Sequence, residues 1–336
     1  MPRAMVGWTV ACCAALVYPF VVSDDYVLGV FVLFGIYTAT NLMWTLVLGT
    51  AGLQSFATLA VVGISVYAAS YTSIAFGWPW PVMLVVGTLV GVPVGFAIAL
   101  PAIRLRGVYF ALFTLGLVEL CRTYILQDTA LGASKGLYGA DSFVPRDLVG
   151  RPEGAMIGYF GAFALVVVAL AVFWLVDRGR LGLLLRASRE SEPFAQATGV
   201  DTSRVRLAVF LISSAVLGLV GAFYASYYRG VSPDIFRFDT LLMLLAMMVV
   251  GGLGSAGGVF LGTGLLLAID QVFRDYGAAR LMGMGLLMLL VTLFTTNGLA
   301  GIPGQIRQWV EAGEPHPEPV TGGSEAPPEA DGAARP

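Results

Sequence analysis

The sequence predicts an all-α polytopic membrane protein with about ten transmembrane helices. Of its 336 residues 57% are apolar and only 12% are charged, against about 45–50% and about 25% in soluble domains. Mean hydropathy is +0.82, and Lys135 is the only lysine. Apolar runs recur at the length of about 20 residues that crosses about 30 Å of hydrocarbon.

Taken in order, the expected spans are 5–22, 27–48, 54–71, 81–103, 107–126, 156–177, 207–228, 240–254, 258–273 and 281–297. The first could pass for a cleaved leader, but its apolar stretch exceeds the usual h-region of about 7–15 residues. The eighth and ninth are short and meet at a glycine-rich turn. A broken or partly re-entrant pair is open there, since irregular backbone is tolerated where protein or a cavity surrounds it. From Glu311 the chain is Pro, Glu, Gly and Ala without apolar period, which reads as a disordered tail. The domain organisation is therefore a membrane domain over 1–310 and an acidic tail over 311–336. The tail holds six acids and one base, and without it the body has 18 basic and 15 acidic residues.

Composition excludes several chemistries. With 19 basic against 21 acidic residues, no excess cation is left for nucleic-acid phosphates. The one histidine, His316, lies in the tail, so neither a Ser-His-Asp triad nor a metal cluster fits the body. Gly-Ala-Ser-Lys-Gly at 132–136 is not a phosphate loop. Cys12, Cys13 and Cys121 sit in apolar runs and read as small packing residues. No cofactor is expected on this chain.

Arginines orient the spans. Arg104 and Arg106 occupy one turn, and Arg178, Arg180, Arg186, Arg189, Arg204 and Arg206 occupy the 178–206 loop. Placing both inside puts both termini in the cytoplasm. Gly87, Gly91 and Gly95 repeat every four residues, as do Gly254, Gly258 and Gly262; such ladders let helices approach closely, while the 251–258 run is open to a second reading as an irregular element facing a path. Glu119 and Arg122, three apart, and Asp270 and Arg274, four apart, can each neutralise locally, but intramembrane charges are also functional candidates.

The 178–206 loop is the most informative polar segment. Ser191 or Glu192 can cap a short helix with Pro193 at its start, and Gly199 can end it. A helix of under two turns is marginal alone and calls for a partner surface, with Phe194 as the apolar knob.

These residues resemble the LivM-type permease subunits of bacterial branched-chain amino-acid ABC importers. The loop matches that family's pattern at Arg180, Gly182, Arg186, Ala187, Arg189, Glu190, Glu192, Ala195 and Gly199, with Leu183 and Pro193 departing from it. Gly49-x-Ala51-Gly52-x-x-Ser55 resembles its G-Y-A-G-Q-x-S turn, and Leu105 to Ala111 resembles L-R-G-x-Y-F-A, followed by Glu119 and Arg122. Ser232-Pro233 with Phe236 resembles S-P-x-x-F, and Gly251 to Ser255 resembles G-G-L-G-S. After Ser55, where the family commonly has L-G-H-A, this chain has Phe56-Ala57-Thr58-Leu59.

The resemblance implies a permease fold of the branched-chain amino-acid type in the bacterial inner membrane. It implies a second homologous permease, two cytoplasmic ATPases that carry ATP and magnesium, and a periplasmic or extracellular solute-binding protein. The ATPases would act on Arg186, Arg189, Glu190, Glu192, Phe194, Ala195 and Gly199. The candidates for the solute path are Gly52, Gln54, Ser55, Thr58, Glu119, Gly252 and Gly254. Asn41 could add a hydrogen bond to it. Branched-chain or other hydrophobic amino acids are the expected solutes, with urea, short amides or aromatic acids as alternatives within the class. An ion-coupled secondary transporter is the alternative of another class, and it would place coupling carboxylates at the midplane.

Overall fold

The structure is a computed structural model that describes residues 24–105, 107–144 and 151–273, together with Pro19, Met282, Gly283, Gly285, Leu286, Leu289, Leu293, Gly298 and Leu299. The first expected span apart from Pro19, most of the tenth, Arg106, Arg274, Cys12, Cys13 and the acidic tail lie outside the described residues.

Helix α1 covers Asp25–Thr45 and runs on through a π-turn, Leu46–Thr50; α2 is Thr58–Phe76, α3 Trp80–Arg104 and α4 Val108–Gln127. Two 3-10 turns and the short strand β1, Leu137–Tyr138, lead to α5, Arg151–Arg178. Then come α6 (Arg180–Glu190), α7 (Glu192–Ala197), α8 (Thr202–Tyr228), β2 (Gly230–Val231), a 3-10 turn (Pro233–Phe236), α9 (Phe238–Gly251) and α10 (Ala256–Val272). Among the described residues six helices are long and apolar enough to cross a membrane, and α9 and α10 are shorter apolar helices.

Helix directions follow from residue pairs. Gly87, Gly91 and Gly95 of α3 meet Ala222, Gly218 and Ser214 of α8 in reverse order, so these helices are antiparallel. A Cβ on Gly91 would stand 2.4 Å from the Ser214 carbonyl oxygen. The glycine ladder is thus a contact stripe, as expected where lipid leaves close packing as the main source of helix association. Gly35 abuts Ala162 and Thr50 bonds Asp177, so α1 and α5 run parallel. The end of α3, the start of α4 and the turns at 179–201 and 252–255 share one end of the bundle, here called the loop end. The segments 128–144 and 229–237 belong to the opposite end.

The third span differs from the expectation at its start. Residues 54–57 are not helical, and α2 begins at Thr58. From the end of α1 the chain turns back into the bundle as irregular backbone: the Trp44 indole N–H donates to the Ser55 carbonyl at 2.7 Å, and Phe56 N–H donates to the Thr114 hydroxyl at 3.0 Å. Trp44 lies six residues before Thr50, so the segment rises about 9 Å into the bundle. Its backbone polar groups find partners there, as membrane depth demands. The seventh span also begins earlier than expected, because Asp201 caps α8 through Arg204 N–H at 3.1 Å.

The eighth and ninth expected spans form a tight helical hairpin. Gly258 and Gly262 of α10 sit against the backbone of Gly251 and Met247 in α9, and Ser255 caps α10 by accepting from Gly258 N–H at 3.0 Å. Asn41 on α1 is fully buried and donates to the Thr263 hydroxyl at 3.3 Å, tying the hairpin to α1. At the opposite end Asp141 accepts from Trp80 N–H at 2.7 Å and so caps α3, while its own N–H donates to Ser73 at 2.9 Å.

Candidate functional site

The polar loop between α5 and α8 folds as a compact helical pair on the loop end of the bundle. Helix α6 buries Gly182, Leu185 and Ser188. One of its arginines is held by the end of α5: Arg186 donates to the Asp177 carboxylate at 2.9 Å and to the Asp177 carbonyl at 3.0 Å. Thr50 donates to the same carboxylate at 3.2 Å. Asp177 therefore joins the end of α1, the end of α5 and α6.

Helix α7 spans six residues, with Pro193 in its first turn. Gly199 ends the segment at φ +87, a left-handed conformation that glycine adopts without a Cβ penalty. Ala195 is 1% exposed and pins α7 down, whereas Phe194 is 69% exposed. Glu192 is turned inward: it pairs with Arg206 at 2.9 Å, the two side chains being 15% and 13% exposed, and it accepts from Thr202 at 3.2 Å. Glu190 is exposed.

Three separated segments converge beneath this pair. Arg189 of α6 donates to the Gly49 carbonyl and lies across Gly52, where a Cβ would stand 2.8 Å from the Arg189 Cγ. Gly52 has φ +69. Gly49 in turn packs on the hairpin, where its Cβ would stand 2.8 Å from the Gly254 backbone nitrogen. One arginine and two glycine turns thus link the loop, the α1 terminus and the α9–α10 hairpin.

The model of the branched-chain amino acid transport system permease component family matches residues 26–295. The chain belongs to this family. Among its relatives, the high-affinity branched-chain amino acid transport system permease protein LivM of Escherichia coli is 30% identical over 307 residues, 85% of this chain and 72% of the relative. A probable LivM of Methanocaldococcus jannaschii is 26% identical over 235 residues, 64% and 66% of the two chains. BraD of Pseudomonas aeruginosa is 29% identical over 160 residues, 45% and 50%. No solved structure matches the chain significantly.

Within this permease the expected path residues divide into groups. Gly52, Gly252 and Gly254 gather at the loop end, the latter two in the hairpin turn with φ +108 and +88. Ser55 and Thr58 are buried within the chain and Gln54 is exposed. Glu119 lies eleven residues along α4 from Val108, roughly 16 Å from the loop end, paired with Arg122 at 3.0 Å and 58% exposed. Asp270 is buried. Sequence reasoning missed Asp177, Thr50, Trp44 and Thr114. Asp177 alone carried a readable signal, an acid at the end of an apolar span facing a run of arginines.

Proposed function

We propose that this chain is a permease subunit of an ABC importer, enclosing with a second homologous permease a path for branched-chain or other hydrophobic amino acids. Two cytoplasmic ATPases supply the energy and hold the ATP and magnesium, and a solute-binding protein delivers the solute from outside. The loop end faces the cytoplasm of the bacterial inner membrane, and both termini lie on that side.

The observation that carries this reading is the convergence of the loop, through Arg189, on Gly49, Gly52 and Gly254 in a chain of the permease family. An ATPase that moves α7 would move Arg189 with it, and through Arg189 both the re-entering 52–57 segment and the hairpin. A ligand-driven shift needs differential contacts in the two states, and this arrangement gives a partner at Phe194 direct purchase on membrane-embedded backbone.

The test is purification of the tagged chain from its host in mild detergent, followed by reconstitution with labelled leucine. Recovery of a second permease and P-loop ATPases, with ATP-dependent leucine uptake, is expected. Uptake by the chain alone, driven by an ion gradient without ATP, would overturn the reading.

A further inference from the structure

A cavity of about 230 Å³ lies inside this single subunit, below the 229–237 end, between α1, α2, α8, α9 and the 3-10 turn at Pro233–Phe236. Its volume is that of about eight liquid waters, below the roughly 300–1,000 Å³ of drug-sized sites, so it suits one small solute. Ile36, Leu59, Val62 and Leu244 form an apolar wall, while Tyr37, Thr40, Tyr224, Ser232, Asp234 and Thr240 supply hydroxyls and one carboxylate. A cleft for lipid chains would have no use for these six polar groups.

The wall nearest the mouth is not regular helix. Phe236 is fully buried, with its ring against Gly63 and stacked at 6.1 Å on Tyr67, so the 3-10 turn reaches down to the fifth position after the start of α2. Irregular backbone at such depth occurs where it is enclosed by protein or lines a polar cavity, and here the two conditions meet. Ser232 holds the Asp234 carboxylate at 3.0 Å; Asp234 stays largely exposed at the cavity's edge, where Arg237 approaches it at 3.9 Å while bonding Asp239 at 2.7 Å. Thr240 stands in the first turn of α9, whose cap residue Arg237 contributes no side-chain capping bond. That turn is the positive end of the helix, and the Asp239 carboxylate within it is paired by Arg237 at 2.7 Å.

We propose that this cavity is a solute-holding site within the one subunit, taking a small zwitterion with a branched aliphatic side chain. The ammonium sits at Asp234 and its neighbouring hydroxyls, the carboxylate at the first turn of α9, and the side chain against the Ile36–Val62–Leu244 wall. The assignment rests on the import reading above and adds a station that lies inside this chain, not between the two permeases.

The test uses the complete importer in proteoliposomes, with a diazirine-bearing leucine analogue as the probe. On illumination, peptides containing 59–62 and 232–244 should be labelled, and excess leucine should suppress the labelling. Asp234→Asn should raise the half-saturating leucine concentration about tenfold, the scale of one hydrogen bond to a charged group. Val62→Phe, which narrows the cavity, should do the same. ATP-dependent uptake of the probe with labelling confined to other segments would overturn the holding site while leaving the import reading intact. No ATP-dependent uptake of leucine or probe would overturn the import reading, and the site with it.

Discussion

Arg189 donates a hydrogen bond to the carbonyl oxygen of Gly49, 140 positions away in the chain. The bond joins the last turn of α6 to the π-turn that ends α1, and the arginine stem covers Gly52 on the way. It gives the exposed loop a direct link to the backbone that re-enters the bundle.

Arg189→Ala should uncouple the importer. Leucine uptake should fall by about 5- to 150-fold, the usual range of an inter-site coupling, while ATP hydrolysis by the complex persists. Parallel assays of uptake and hydrolysis check this, and an equal loss of both would argue against a transmission role.

Glu192 and Phe194, two positions apart, should separate in phenotype. Glu192→Ala leaves Arg206 without its carboxylate in a poorly exposed site, costing about 3 kcal/mol and lowering the thermal midpoint of the purified importer. The exchange Glu192→Arg with Arg206→Glu should recover much of that loss. Phe194→Ala removes an exposed side chain, so the midpoint should hold while uptake drops.

Gly91→Ala should disrupt the bundle, because its Cβ would stand 2.4 Å from Ser214 O and 2.9 Å from Gly218 Cα. Separating α3 from α8 should cost about 1–3 kcal/mol, read as lower yield of folded protein in detergent. Gly116→Ala on α4, where no atom lies within 4 Å of the added carbon, is the matched control and should leave the yield unchanged.

Asp141→Ala removes the acceptor for the Trp80 N–H and with it the only side-chain cap seen on α3 among the described residues. A loss of about 1 kcal/mol is expected. Hydrogen exchange should quicken at the start of α3 and stay unchanged in α6.

Among the described residues hydropathy located the apolar helices but not α6, since a span is a local property: about 20 apolar residues must cover the hydrocarbon whatever else they touch. The short helix at α7 was readable for the same reason, from Pro193 at one side and Gly199 at the other. The glycine ladder at 87, 91 and 95 announced close packing but not its partner; α8 was decided by the fold. Likewise the sequence placed a helix over 54–57, where the chain is irregular instead, because Trp44 and Thr114 satisfy its backbone from neighbouring helices. Local periodicity carries no record of partners 11 or 58 positions away. The inward turn of Glu192, the bond from Arg189 to Gly49 and the cavity beside Asp234 arise the same way. Each is a contact between residues that only tertiary packing brings together, and in lipid that packing is selected by shape and hydrogen bonding between helices, not by the apolar pattern along any one of them.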